Sequence, residues 1–164
     1  MFIIGKTLLL MAFYQFQRVQ DIPAPITGVW DFISSPANLQ EITPPSMGFL
    51  ITSTNLPAKM YAGMIISYKV RPLLGLPLTW VTEITQVVDG TYFIDEQRIG
   101  PYALWHHQHK LDEIPGGVRM TDIISYQPPM GPLGAIANSL FIKQKLKEIF
   151  DYRFEAVVKR FGTI

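Results

Sequence analysis

The 164-residue sequence predicts an α+β fold in which a curved antiparallel sheet wraps around one long C-terminal helix. Two observations favour this fold class. Short extended runs, each ended by turn-forming residues, fill the middle of the chain, and an amphipathic helical pattern covers residues 135–161. A helix of that length would be roughly 40 Å long, so the sheet must bend around it to bury its apolar face.

One strand and two short helices begin the predicted fold. Residues 13–22 alternate large apolar and polar side chains, which is typical of a strand with one buried face, and Pro23 follows as a strand breaker. Apolar side chains at helical spacing then predict a helix over residues 26–33. Residues 37–42 predict a second short helix, which ends before Pro44.

Six further extended runs predict the rest of a seven-stranded antiparallel meander. They cover residues 49–55, 64–70, 78–88, 92–99, 103–113 and 118–127. Asp89-Gly90 is the strongest hairpin signal between them, because the central positions of a tight primed turn require positive φ. In residues 135–161 apolar side chains, including Leu146 and Phe150, recur three or four apart, and Gly162 follows as a natural stop.

Composition excludes several classes of function. The chain carries 14 basic and 13 acidic side chains mixed along its length, so we expect no nucleic-acid partner. It contains no cysteine, which removes disulfides and thiolate sites and suits a reducing compartment, so we expect a cytoplasmic protein. Charged residues make up only 16%, against roughly 25% in an average soluble domain, which leaves ample apolar material for a core and a cavity lining.

The N-terminal residues need a separate interpretation. Residues 1–10 are apolar but too short to span a bilayer, which takes roughly 20 apolar residues, and Lys6 interrupts the run. We expect a flexible leader or a translation start at Met11 instead. No linker composition divides the remainder, so residues 11–164 are predicted to form a single domain.

Three segments also resemble a known superfamily. They are residues 22–49, residues 93–134 with the pattern D-E-Q…G-P-x-x-x-W-x-H-x-H followed by T-D-x-x-x-Y, and residues 149–162. The chain resembles the START-like (SRPBCC) superfamily, which includes polyketide cyclases, Bet v 1-like plant ligand carriers and a subgroup of uncharacterised bacterial ligand-binding proteins. The resemblance implies a helix-grip fold with an apolar pocket between sheet and helix. It implies no single reaction, because this fold hosts carriers, cyclases and hydrolases.

Strand alternation predicts which side chains line such a pocket. Trp105, His107 and His109 fall on one face of their strand, and a meander places the inward residues of neighbouring strands beside them. With Phe150 of the helix, the predicted ligand-binding residues are Tyr68, Trp80, Phe93, Asp95, Gln97, Trp105, His107, His109, Met120, Asp122, Ile124, Tyr126 and Phe150. This wall is apolar apart from an island of Asp, Gln and His, which suits a mainly apolar ligand with one polar end.

The polar island admits three interpretations. Buried polar groups must be paired, so Asp122 with His109, and Asp95 or Gln97 with His107, could be structural pairs. His107, His109 and Asp122 are also the candidate catalytic residues of an acid–base enzyme, since a histidine oriented by a carboxylate can move protons near neutral pH. Two histidines at i, i+2 on a strand are a weak metal signal, so we expect no metal site and no cofactor.

The functional prediction is binding or carriage of a hydrophobic small molecule, such as a lipid, isoprenoid, polyketide or aromatic compound. The alternative is a cyclase or dehydratase in which Tyr126 or Gln97 steadies an enolate oxygen. The Pro/Gly-rich loops 71–77 and 127–134 would rim the cavity entrance with Leu73, Leu74, Leu76, Met130 and Leu133, and could contact a membrane transiently. We expect a monomer or a homodimer.

Overall fold

The computed structural model describes residues 13–71 and 75–164 of the chain. The predicted leader at residues 1–10 therefore lies outside the described residues, as do Leu73 and Leu74 of the first predicted entrance loop. Within the described ranges, no helix has the length and apolar character that a membrane crossing requires.

Seven antiparallel strands form one sheet in these ranges, which confirms the predicted architecture. The sheet order is β1-β7-β6-β5-β4-β3-β2, so β2 to β7 form a meander and β1 pairs with the last strand. The strands are β1 (Tyr14–Ile22), β2 (Leu50–Ile51), β3 (Met64–Val70), β4 (Leu78–Val88), β5 (Tyr92–Ile99), β6 (Leu104–Ile114) and β7 (Gly117–Gln127).

The sheet bends where two neighbouring strands fall out of register. The β4–β5 pairing shifts between Val81 and Thr82 and again between Ile84 and Gln86. Each shift leaves one extra residue in one of the two strands, a β-bulge, which bends that strand and increases its twist. The curved sheet that results has a concave face on which the helices lie.

In the part of the chain that the structure describes, six helical segments lie in two groups, one between β1 and β2 and one after β7. Helix α1 (Ile26–Ile33) and two 3₁₀ turns (Pro36–Gln40 and Pro45–Met47) come between β1 and β2. After β7 come α2 (Pro132–Ala137), a π-helical turn (Asn138–Ile142) and α3 (Lys143–Phe161). The long C-terminal helix is thus confirmed, but it is interrupted near its start.

The interruption has an identifiable contact. Asn138 is buried, and its side-chain oxygen accepts a hydrogen bond of 2.8 Å from the Tyr126 hydroxyl of β7. A π turn widens the helix by one residue per turn and changes which side chains face the sheet. Here it turns both Asn138 and Ile142 toward the interior.

Two local predictions were wrong, and one helix differs in type. The strand predicted at 49–55 spans only Leu50–Ile51. The second short helix is present, as a 3₁₀ helix over Pro36–Gln40. The hairpin between β4 and β5 lies where Asp89-Gly90 places it, but only Gly90 has positive φ, and three residues separate Val88 from its partner Tyr92. The tight primed turn expected from the dipeptide therefore does not form.

Two apolar clusters fill different parts of the concave side. The first packs α1 and the C-terminal part of α3 onto the sheet, through Val29, Trp30, Leu111, Val118 and Val157. The second lies beneath the start of α3 and is built from Ile124, Tyr126, Ile142, Leu146 and Phe150. Between them the sheet and helix do not meet, and a cavity remains.

Candidate functional site

A cavity of about 370 Å³ lies between the concave face of the sheet and the C-terminal helices. Its floor is formed by side chains of β3 to β6, and α3 supplies Leu146, Ile149, Phe150 and Arg153 on the opposite side. Ligand pockets in proteins commonly have volumes of roughly 300–1,000 Å³. The volume therefore suits a small molecule.

Aromatic rings make up much of the wall. Trp80 meets Trp105 edge to face, with ring centroids 5.2 Å apart, and Tyr102 contacts both indoles. The polar atoms of this wall bond to one another: the Thr82 hydroxyl bonds the Tyr68 hydroxyl and accepts the Trp80 indole N–H at 3.1 Å. Tyr68 and Trp80 thus present apolar ring faces to the cavity, because their polar atoms are already hydrogen-bonded within the wall.

One cluster of charged and polar groups interrupts the apolar wall. His107 places Nδ1 at 3.3 Å from Asp95 and Nε2 at 3.0 Å from Asp122. His109 places Nε2 at 2.9 Å from Asp95 and Nδ1 at 2.8 Å from Asp122. Arg153 of α3 completes the cluster, with its Nη1 atom 3.3 Å from Asp122 Oδ1.

Strand register explains why these groups meet. Asp95 on β5 lies opposite His107 on β6, and Asp122 on β7 lies opposite His109. Both predicted pairs are therefore present. Each histidine also reaches the carboxylate of the other pair, because the two imidazole rings lie side by side, with centroids 3.7 Å apart and planes tilted by 41°.

In this cluster, attraction between opposite charges outweighs the cost of burying them. Burial disfavours a charged Asp122, but Arg153 and the two imidazoles outweigh that penalty and hold the pKa of this carboxyl well below its usual range. The same balance of burial against His107 and His109 lowers the pKa of Asp95. For His107, burial favours the neutral ring, but the carboxylates of Asp95 and Asp122 prevail and raise its pKa.

Burial dominates the pKa values of two tyrosines in the wall. It raises the pKa of Tyr68 far above its usual range, and the negative charge of Asp95 adds to the effect. Burial likewise raises the pKa of Tyr102. Both hydroxyls therefore stay neutral over the physiological range.

Solved structures of other proteins share this architecture. They include protein Ms6760 of Mycobacterium smegmatis, with a TM-score of 0.63 and 17% identity over 89% of this chain and 92% of that one. Ara h 8.0201 has a TM-score of 0.60 and 16% identity, with 90% and 99% covered. A Chromobacterium violaceum protein reaches a TM-score of 0.68 at 10% identity, with 92% and 99% covered.

The fold is Bet v 1-like. The likeness is one of structure, since all three identities lie below 20%. No protein-family model matches the sequence, and no curated protein matches it. Within the Bet v 1-like fold, the side chains of this chain must therefore carry any argument about its function.

Eight of the predicted ligand-binding residues line the cavity, and five do not. The lining residues are Tyr68, Trp80, Phe93, Asp95, Trp105, His107, His109 and Phe150. The other five are Gln97, Met120, Asp122, Ile124 and Tyr126. Four of these five belong to β7. The alternation of side chains along this strand correctly identified its inward face, but it could not show that other side chains cover these four residues.

Different groups cover the four β7 residues. Ile124 and Tyr126 pack under the start of α3 in the second cluster, and Met120 belongs to the first cluster. Asp122 lies behind the two histidines and is 1% exposed. As a candidate catalytic residue it therefore reaches the cavity only through His107 and His109, which do line it.

Gln97 has a structural task instead. Its side-chain amide donates to the Tyr102 carbonyl at 2.7 Å and accepts from the Tyr102 backbone N–H at 3.2 Å. A β-carbon at Gly100 would collide with this amide, so the glycine leaves room for it. Gln97 thus fixes the loop that carries the Tyr102 ring into the wall, and it does not face the cavity itself.

Sequence reasoning missed Arg153, the cation of the cluster. The signal was present, since Leu146, Phe150, Arg153 and Val157 recur at helical spacing on one stripe. A charged residue on an otherwise apolar stripe indicates a buried partner. Of the predicted entrance residues in the described ranges, Met130 lines the cavity, whereas Leu76 and Leu133 are exposed elsewhere.

Proposed function

We propose that the chain binds and carries a small, mainly apolar molecule with one polar end, and that it belongs to the START-like superfamily. The observation that carries this proposal is the cavity of about 370 Å³, whose described wall is mainly apolar and carries the polar cluster and Lys145. Burial of apolar surface would supply most of the affinity, and the cluster would orient the polar end.

The ring arrangement supports a ligand with flat or branched hydrocarbon parts. Trp80 stands at 63° to Tyr102 and at 88° to Trp105, and these two are tilted by 39°, so the ring faces surround the space from different directions. Edge and face contacts of this kind favour aromatic or branched partners. Lipids, isoprenoids, polyketides and aromatic compounds are the ligand classes that satisfy this description.

The polar end would meet positive charge supplied by α3. Arg153 and Lys145 both line the cavity, and Lys145 also pairs with Glu148 at 3.3 Å. Oxygen acceptors such as carbonyl, hydroxyl or carboxylate groups match these donors.

The alternative function is a cyclase or dehydratase, and the two carboxylate-bound imidazoles at the cavity wall favour it. Two observations weigh against it. All four ring nitrogens of His107 and His109 lie within 3.3 Å of Asp95 or Asp122, so a substrate would have to displace one of these contacts. The predicted enolate-binding residues, Gln97 and Tyr126, do not line the cavity. Binding is therefore the better-supported function.

A fluorescent fatty-acid probe tests the proposal directly. We expect saturable uptake of one probe per chain, competed by members of a panel of lipids, isoprenoids and aromatic compounds. Ala137 lines the cavity, and Ala137→Trp would place an indole inside it. We expect this variant to lose probe binding, whereas Ile136→Trp, on an exposed site of the same helix, should bind normally.

Two results would refute binding at this site. One is the failure of every panel member to compete or bind. The other is equal uptake by Ala137→Trp and the unaltered protein. Native mass spectrometry of protein purified from its own host would identify a co-purifying ligand. The same spectrum would test the monomeric or dimeric state, and fractionation would test the cytoplasmic location and transient membrane contact that we also propose.

A further inference from the structure

If both histidines of the polar cluster are neutral, they carry too few N–H groups to donate to every carboxylate oxygen that contacts them. Four contacts of 2.8–3.3 Å join ring nitrogens of His107 and His109 to carboxylate oxygens of Asp95 and Asp122. A neutral imidazole carries one N–H, so two neutral rings can donate only two of these hydrogen bonds. The other two contacts would set a nitrogen lone pair against a carboxylate oxygen.

The Asp122 side is the natural place for the two N–H groups. The same Asp122 oxygen, Oδ1, lies 3.0 Å from His107 Nε2, 2.8 Å from His109 Nδ1 and 3.3 Å from Arg153. Asp122 is 1% exposed and so depends on donors from the protein. Two N–H groups and the guanidinium meet that need.

The two ring nitrogens that carry no proton then face Asp95. They are His107 Nδ1, at 3.3 Å from Asp95 Oδ2, and His109 Nε2, at 2.9 Å from the same oxygen. All three residues line the cavity. Each can offer one ligand atom such that the three atoms lie within 4.8 Å of one another.

We propose that Asp95, His107 and His109 bind a divalent first-row transition-metal ion, such as Zn²⁺, and leave a coordination position open toward the cavity. Two imidazoles and one carboxylate are a donor set that such ions accept. Bonds of about 2.0–2.1 Å at octahedral or tetrahedral angles separate ligand atoms by roughly 2.8–3.4 Å. The distances of 2.9 and 3.3 Å to Asp95 Oδ2 fall in that range.

The surroundings supply the second shell that metal-binding histidines usually have. Each ring would donate its other N–H to Asp122, which fixes the tautomer and the ring orientation. Arg153 balances the charge of Asp122, so the ion would meet Asp95 as its one uncompensated anion. A bound ion would thus accept the lone pairs of both nitrogens that face Asp95. No further buried proton would then be needed.

Sequence spacing alone argued against a metal here, because His107 and His109 by themselves are a weak signal. The third ligand comes from the neighbouring strand, and the register Asp95↔His107 brings it into place. The open position would take an oxygen of the bound apolar molecule, and this part of the inference rests on the proposed function. The metal site itself does not depend on it.

Metal titration without any organic ligand tests the site. Protein stripped with a chelator and dialysed is titrated with Zn²⁺ by calorimetry and with Co²⁺ by visible absorption. The titrations are run at mildly alkaline pH because protons compete for the same nitrogens. We expect one ion per chain and a Co²⁺ d–d spectrum of low-symmetry nitrogen and oxygen coordination, with a rise in melting temperature when the ion is bound.

Variants locate the ion. His109→Ala and Asp95→Asn should abolish stoichiometric binding, and Asp122→Asn should weaken it about 10- to 100-fold, as loss of a second-shell partner does. His106→Ala is the matched control. It removes the third histidine of the chain, which lies on the same strand but bonds Glu96 at 2.8 Å outside the cluster, and should leave binding unchanged.

Three outcomes overturn the metal site. They are no stoichiometric ion on the unaltered protein, an equal loss in His106→Ala, or full binding by a folded His109→Ala. Circular dichroism identifies variants that fail to fold, and for those the Zn²⁺ and Co²⁺ titrations of the unaltered protein still decide. Probe binding by the stripped protein is measured separately, so failure of the metal site and failure of apolar binding give different results.

Discussion

The concave side of the sheet has two halves that differ in packing although the same strands build both. In the packed half, α1 lies on β6 and β7, and Val29, Trp30 and Phe32 are buried among Leu111 and Val118. In the hollow half, the start of α3 faces the rings of β4 and β6 across the cavity. Side-chain alternation is identical in the two halves. The covering element therefore decides whether inward residues form a core or a wall.

The difference between the halves also concerns polar groups. The packed half holds few of them, such as the Trp30 indole, which donates to Asp89 at 3.2 Å. The hollow half contains two histidines, two aspartates and an arginine within one cluster. Buried charges are costly and are retained where they are paired or where they have a task. Their concentration at the cavity supports a functional assignment there.

The largest expected effect tests the packed half. Phe32→Ala removes a ring that is 3% exposed and meets Phe161 edge to face at 5.6 Å. A filled core leaves a void on truncation, so we expect a loss of about 3–5 kcal/mol in the free energy of unfolding. Urea denaturation measures it. Phe13→Ala, at a 59% exposed phenylalanine, is the control and should change stability by less than about 0.5 kcal/mol.

A smaller effect is expected in the hollow half. Trp105→Ala removes a larger ring, but one side of that ring already faces empty space and has no packing partners to lose. We expect a loss of about 1–2 kcal/mol by the same urea measurement, together with weaker binding of the fatty-acid probe. A loss as large as that of Phe32→Ala would mean that the ring is packed on all sides, and the distinction between the halves would fail.

These two halves were not equally predictable from sequence. Periodicity depends on short-range spacing, so it located the strands, the long helix and the inward positions Trp105, His107 and His109. It could not tell that α3 covers Ile124 and Tyr126 but stands away from Trp80, because that distance depends on the bulges in β4–β5 and the π turn at Asn138. Gln97 was misplaced for a related reason, since its partner is a loop backbone that no pattern identifies.

The smallest expected effect tests the polar atoms of the cavity wall separately from its apolar ring faces. Tyr68→Phe removes one hydroxyl that bonds Thr82 and keeps the ring, and the Trp80 indole still donates to Thr82 at 3.1 Å. The net cost of one such hydrogen bond is about 0.5–1.5 kcal/mol, which urea denaturation resolves. Because the hydroxyl is already satisfied inside the wall, affinity for the fatty-acid probe should stay the same or rise slightly. A marked fall in affinity would show that the hydroxyl contacts the ligand, and the polar end would then be held by Tyr68 as well as by the cluster.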